Sequence, residues 1–500
     1  MQTLKFFTNN QYLTSKTDKF YDVFNPSTGE QIAKCPRVTT EEIKKVIDNA
    51  QAAYEKWSRV PVTKRVKILY KVKQLLEENL NELTILLATE HGKVYKEAQG
   101  DVLKAIEGTE LACHMPVHMQ GDSLMDTSKG YDTVLYREPI GVFVGIAPFN
   151  FPAMIPMGWM APNCIAAGNT MVVKAAGATP MSALKIADIY KQAGLPDGVL
   201  NVISCDRVDT KELLTNPLIK GISFVGSTKV GKFIYKTGAE NGKRVQALTE
   251  AKNHALVLED AALDRTAAGI INAAFGCAGE RCMALPVVVA QESIADELVA
   301  KIKKMAQNIK IGPAYHKDSE MGPVYSNSHK ESVIGWIEKG VEEGAELVLD
   351  GRGRSVEGFE KGFYLGPTIF DKVTEDMEIG REEIFGPVLC IKRVKDFEEG
   401  LKVMNNSRFA NGSVIYTQSG YYSREFARNT HGGMVGINVG IPVPIGVFPF
   451  CGHKDSFFGD LHCLGKDAYR FFTESKTVTS HWFDEEEKKN TTVSTWDGTI

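Results

Sequence analysis

The sequence predicts an α/β protein built around a doubly wound, mostly parallel sheet. Between Gly141 and Leu248, short apolar runs suited to buried strands alternate with segments whose apolar residues recur at helical spacing. Alternation of this length calls for parallel strands joined by crossover helices. A second αβ run covers residues 255–440. Length adds a third constraint: 500 residues exceed one ordinary core, so two or three domains are expected.

Residues 1–38 read as irregular strands and turns, with Asn25-Pro26-Ser27-Thr28-Gly29-Glu30 as a turn signal. The first helix starts at Thr39-Thr40-Glu41-Glu42, a cap residue followed by early acids. Its apolar face is Ile43, Val46, Ile47, Ala50 and Ala53. A second helix follows Pro61-Val62-Thr63, and a further helical stretch runs toward Gly92. Strands are then expected at 141–147, 170–174, 199–204, 221–225 and 244–248, and helices at 152–167, 180–193 and from Thr228 to about Gly238. In the second run the strand candidates are 286–290, 346–349, 388–394 and 413–416, and the helices 296–310, 329–343 and 421–429. Residues 351–358 read as a solvated turn, and the tail from Asp484 as mobile at its end.

Residues 139–173 carry no charged side chain and are long enough to span a bilayer. Pro139, Pro148, Pro152, Pro156 and Pro162 would break a continuous helix there, so strand, loop, helix and strand are expected instead. A net charge of −4 gives no electrostatic case for nucleic acid or an anionic membrane. Nine cysteines without repeated CxxC spacing argue against a zinc or disulfide framework and for a reducing compartment. The first residues, Met1-Gln2-Thr3-Leu4-Lys5, lack the apolar core of a signal peptide. A cytoplasmic protein is expected.

The chemistry concentrates in Gly276-Cys277-Ala278-Gly279-Glu280-Arg281-Cys282-Met283-Ala284-Leu285. Small residues upstream of Cys282 admit a substrate close to the backbone, and the adjacent Arg281 favours thiolate, the nucleophilic form. A buried packing cysteine is the plainer alternative. Gly226-Ser227-Thr228-Lys229-Val230-Gly231 falls between a strand and a helix, where backbone N–H groups can hold a pyrophosphate. The usual GxGxxG fingerprint is missing, and a simple capped turn stays open.

Five separated motifs then line up: Pro148-Phe149-Asn150-Phe151-Pro152, Phe224-Val225-Gly226-Ser227-Thr228, Gly279-Glu280-Arg281-Cys282, Gly366-Pro367-Thr368 and Glu383-Ile384-Phe385-Gly386-Pro387-Val388. Together they resemble the aldehyde dehydrogenase superfamily over essentially the whole chain. Within it, the APFNFPAMIP run at 147–156, AKNH at 251–254, RCMAL at 281–285 and IPVPIGVFPFCG at 441–452 are most similar to the CoA-acylating methylmalonate-semialdehyde dehydrogenases.

The resemblance implies that Cys282 attacks the aldehyde carbon and that the Asn150 amide, with the Cys282 backbone N–H, stabilises the oxyanion. It implies Ser227 at the cofactor pyrophosphate, Lys174 at the adenosine ribose, Glu383 and Phe385 on the nicotinamide ribose side, and Gly226 and Phe149 also at the cofactor. Phe151, Arg281 and Lys104 would face the substrate. NAD is the implied cofactor, coenzyme A the acyl acceptor, and no metal is implied. Hydrolytic members carry a glutamate 34 positions before the nucleophile, which falls on Leu248 here. Leucine cannot activate water, so a thiol acceptor is favoured.

Four departures from the family pattern qualify this. Glu250 stands where glycine is usual and, on an extended strand, would share a face with residue 248, which would restore a base. Lys174 is followed by Ala175-Ala176-Gly177 instead of Pro-Ser-Glu, which removes a ribose acceptor and leaves NADP open. Glu280 replaces glutamine and is expected to pair with Arg281. Lys104 replaces an arginine that would hold the substrate carboxylate, keeping the charge and losing the fork.

The expected architecture is an aldehyde-dehydrogenase-like α/β subunit. Residues 1–119 and 140–250 form a Rossmann-type NAD-binding domain, and 251–440 the catalytic domain. A hairpin at 120–139 and an arm at 470–500 make a small β oligomerisation element of a homotetramer or dimer. The substrate would be malonate or methylmalonate semialdehyde. A hydrolytic NAD(P)-dependent enzyme for another small anionic aldehyde, and a catalytically weak nucleotide-binding paralogue, are the alternatives.

Overall fold

The computed structural model describes residues 2–128 and 130–491. Residues 492–500, the end of the tail expected to be mobile and the end of the 470–500 arm, lie outside the described residues, as do Met1 and Lys129 of the expected hairpin. After short strands within residues 2–36, four helices follow: α1 (Thr40–Trp57), α2 (Val62–Glu78), α3 (Leu80–His91) and α4 (Tyr95–Ala112). Helix α1 begins in a capping box, with the Thr39 hydroxyl on the Glu42 N–H and the Glu42 carboxylate returning to Thr39 N.

The first sheet has eight strands. Its parallel centre runs Arg244–Leu248, Ile219–Val225, Val142–Ile146, Thr170–Lys174, Leu200–Ile203. Strand order therefore reverses between Val142–Ile146 and Ile219–Val225, and ligand crevices open at such a reversal, beyond the carboxyl ends of the strands. Antiparallel edges are added by Phe6–Thr8 and Gln11–Leu13 on one side and Phe457–Phe458 on the other. The second sheet runs Glu346–Leu349, Thr368–Asp371, Val388–Val394, Val287–Gln291, His254–Val257, Gly412–Tyr416, Met434–Ile437 and is parallel apart from its first strand. A third, antiparallel sheet joins Thr473–His481 to Tyr131–Pro139 and Ser123–Ser128.

The uncharged 139–173 segment contains the expected strand, loop, helix and strand, but its helix differs. Residues Met154–Met160 form a π-helix that runs into the α-helix Ala161–Ala167. Pro156 and Pro162 each lack an amide hydrogen, so regular i→i−4 bonding cannot run through the stretch. Helix α4, with Gly100 and Gly108 in its interior, packs directly against the π-helix. A Cβ on Gly108 would lie 2.2 Å from Gly158 O, so the two backbones meet without side chains between them. Among the described residues no helix is long and apolar enough to cross a membrane.

Candidate active site

Cys282 sits at the end of a strained loop. The helix Leu263–Phe275 stops at Gly276, and Cys277, Ala278 and Gly279 follow with φ of 51°, 51° and 76°. Left-handed backbone at non-glycine residues costs on the order of 1 kcal/mol or more each, so the surroundings must fix it. Cys277 N donates to Glu97 Oε1 at 2.8 Å, and Glu280 N to Cys277 O at 2.9 Å. A Cβ on Gly279 would lie 2.1 Å from Gly386 O, so glycine alone lets this loop touch the Glu383–Val388 motif. Beyond the thiol, Asn253 Nδ2 donates to Cys282 O at 2.9 Å and Ala284 O at 2.7 Å. Burial first, and the Glu383 carboxylate second, push the half-buried Cys282 thiol up to about 12.

The thiol faces a cavity of about 440 Å³ whose wall includes Phe151, Trp159, Lys96, Lys104 and Arg281. Both predicted substrate cations are there, and both are paired. Arg281 Nη2 lies 2.7 Å from Glu97 Oε1 on α4, and its Nε donates to Cys277 Sγ at 3.1 Å. Lys104 Nζ lies 2.5 Å from Glu107 Oε2. The expected pairing of Glu280 with Arg281 does not form. Glu280 is fully buried on the opposite side of the loop, where Oε1 accepts from Tyr325 N at 3.1 Å and lies 3.6 Å from His329 Nε2. Burial holds its carboxyl well above the usual carboxylate range.

Asn150 is buried and donates through Nδ2 to Glu280 O at 3.0 Å, which brings it beside the Cys282 loop. Its own carbonyl accepts from Lys93 Nζ at 2.6 Å. Asn150 does not form the wall of the large cavity; its neighbour Phe151 does.

The remaining predicted residues gather on the crevice side. Glu383 and Phe385 line a second, small cavity with Cys282 and Arg281. Glu383 Oε1 accepts from Ala251 N at 3.0 Å, and burial pushes its carboxyl up to about 8. Phe385 has φ of 59°, held by His329 Nε2 donating to its carbonyl at 2.7 Å. Phe149 stacks on Tyr325 at 3.7 Å and meets Phe385 edge-on at 5.8 Å. Gly226 and Ser227 end the Ile219–Val225 strand and cap the helix Thr228–Glu240. Lys174 ends its own strand, two strands away.

Glu250 corrects an expectation. The strand ends at Leu248, so the alternation that would point residue 250 toward Cys282 does not continue. Instead Glu250 Oε2 accepts from Thr228 N at 3.2 Å, at the start of the Thr228–Glu240 helix. An anionic oxygen thus already sits on a helix N-terminus at the strand-order reversal. The residues fit a dinucleotide pyrophosphate there, provided that carboxylate gives way.

Lys93, Asp101, Glu97, Tyr325 and His329 escape a reading of the sequence. Each also has a partner far along the chain (Glu97 and Arg281 are separated by 184 positions), and the sequence does not announce it.

The model of the aldehyde dehydrogenase family matches residues 12–478. A Bacillus cereus protein named malonate-semialdehyde dehydrogenase 2 is 48% identical over 482 residues, covering 96% of this chain and 98% of that protein. The crystal structure of methylmalonate-semialdehyde dehydrogenase from Oceanimonas doudoroffii superposes with a TM-score of 0.95 at 41% identity, covering 98% of this chain and 100% of that one. The NAD complex of a Sinorhizobium meliloti 1021 protein assigned as methylmalonate-semialdehyde dehydrogenase gives 0.95 at 38% identity, covering 97% and 99%.

Proposed function

The chain belongs to the aldehyde dehydrogenase family, and from that premise we propose that it oxidises malonate or methylmalonate semialdehyde and delivers the acyl group to coenzyme A. The observation that carries the acyl acceptor is Leu248. It stands where hydrolytic relatives hold a base, it is buried, and its backbone pairs with Val225 and Phe457. Glu250, the residue weighed as a replacement for that base, is turned to Thr228. Likeness to the named Bacillus and Oceanimonas enzymes supports the substrate.

Cys282 adds to the aldehyde carbon, and its sulfur must shed a proton to do so. The Asn150 amide and the Cys282 N–H stabilise the oxyanion. NAD, when bound, supplies the hydride acceptor that turns the thiohemiacetal into a thioester on Cys282. Gly226, Ser227 and Lys174 hold the pyrophosphate and adenosine side, while Phe149, Glu383 and Phe385 border the nicotinamide side. With no acid after Lys174, NADP is also admitted. Arg281 and Lys104 orient the substrate's acid group next to Phe151. With a carboxylate β to the thioester carbonyl, the C–C bond to CO₂ breaks and its electron pair passes into that carbonyl. Protonation of the carbon then gives the propionyl or acetyl thioester. Coenzyme A thiolate displaces Cys282, giving propionyl-CoA or acetyl-CoA.

In this reading the first sheet and helices (1–119, 140–250) bind NAD, residues 251–440 carry Cys282, and the third sheet makes the contacts of a cytoplasmic homotetramer. The test is NADH formation from each semialdehyde with and without coenzyme A, using NAD and NADP in parallel. Repeated turnover only with coenzyme A, and an acyl-CoA product, is the expected result. Steady turnover to a free acid without it would overturn the acylating assignment.

A further inference from the structure

The turn between α3 and α4 buries a charge that the mechanism above does not use. Gly92 ends α3 with φ of 93°, and Lys93 enters the interior with 1% of its surface exposed. Its ammonium has three neighbours: Asn150 O at 2.6 Å, Asp101 Oδ2 at 3.1 Å and the Phe151 ring at 3.7 Å. Asp101, equally buried, accepts from Met154 N at 2.7 Å through Oδ1. Cation and anion thus grip the Asn150–Met154 segment at its two ends. One holds the carbonyl of the residue whose amide faces Glu280, and the other holds the N–H that opens the π-helix.

Stability alone does not account for this pair. A buried ion pair is on balance no better than an apolar pair of the same volume. Here both charges are spent on one segment, and that segment carries Asn150. The charge also reaches the nucleophile. Burial pushes the thiols of Cys282 and Cys277 up, and Lys93 is a lesser contribution in the opposite direction at both, behind backbone N–H groups at Cys282 and Arg281 at Cys277. The other ionisable groups packed around it, Glu90, Asp101 and Glu280, are each held above the ordinary carboxylate range by burial, and His91 is held well below its ordinary value.

We propose that Lys93 is a positioning residue for thioester formation: with Asp101 it fixes the Asn150 amide beside Cys282 and sets its ammonium behind the developing oxyanion. This rests on the reading of Cys282 as nucleophile and Asn150 as oxyanion donor.

The test uses the full-length protein with Lys93→Met combined with Asp101→Asn, because the single lysine change would strand a buried acid. Lys93→Arg, which keeps the charge, is compared. Two readouts are taken: the single-turnover NADH burst with semialdehyde, and the pH dependence of Cys282 alkylation by iodoacetamide without substrate. The double variant should lose the burst by on the order of 10²-fold, the scale of one oxyanion donor, while its dissociation constant for NAD is unchanged. The midpoint of alkylation should move to higher pH. Lys93→Arg should recover part of the burst and the alkylation midpoint. A folded double variant with a burst within twofold of the parent and an unmoved midpoint would overturn the proposal. If the parent itself shows no burst with either semialdehyde, the substrate reading fails, and the alkylation midpoint still decides the role of Lys93.

Discussion

Around Cys282, three cations are committed to neighbours. Arg281 is bound to Glu97 and Cys277, Lys104 to Glu107, and Lys93 to Asp101 and the Asn150 carbonyl. The backbone is strained and locked, with left-handed residues at 277, 278, 279 and 385. At the strand-order reversal of the first sheet the strands end in ordinary geometry, and the anionic contact at the helix start, Glu250 on Thr228, is a single bond of 3.2 Å from a half-buried side chain. In the proposed function, the surroundings of Cys282, where the covalent work falls, are pre-assembled at a cost in backbone strain. The crevice proposed to admit and release a dinucleotide is held by a contact that an incoming phosphate can replace. Preorganised donors need no rearrangement when charge develops, whereas a replaceable contact lets a ligand leave.

The contrast can be broken most severely at Asn150. Asn150→Ala removes the side-chain donor and keeps the backbone carbonyl for Lys93, so kcat for NADH formation should fall roughly 10²- to 10³-fold with KM for NAD unchanged. A fall confined to KM would move Asn150 out of the reacting centre. On the opposite side, Glu250→Gly should free Thr228 N–H without touching Cys282. KM for NAD should drop about 3- to 10-fold as the competent state becomes the populated one, with kcat little changed. An increase in KM would mean that the carboxylate helps to hold the cofactor. The mildest effect is expected at Glu107, whose pair with Lys104 is largely exposed. Glu107→Gln should lower KM for the acidic aldehyde by roughly 2-fold and leave KM for an uncharged aldehyde unaltered. Equal changes for both would remove Lys104 from acid recognition.

The same division explains what can be read in advance. Strands of the first sheet announce themselves through apolar runs bounded by glycine and proline, and α1 through its capping box. The motifs at 149–151, 226–227, 281–282 and 383–385 are visible as residue patterns. Adjacency misleads at Glu280 and Arg281, because successive residues of a left-handed loop diverge and each finds its partner on another element. Alternation misleads at Glu250, because the strand stops two residues earlier. In α4 two interior glycines weaken the helical pattern, yet one of them allows its close approach to the π-helix. The Arg281–Glu97 pair beside Cys282 joins residues 184 positions apart, whose proximity exists only after the fold has formed.

The third sheet closes late in the life of the chain. Thr133 and Thr479, facing each other across it, are separated by 346 positions, and Phe457–Phe458 must be made before the first sheet gains its last edge. At a synthesis rate of about 5–20 residues per second, the Tyr131–Pro139 strand waits on the order of tens of seconds for its partner. During that interval an emerging chain presents an open strand edge, the kind of surface on which chains pair with one another. Folding on the ribosome therefore favours a nascent chain whose first half is shielded until translation has passed residue 481.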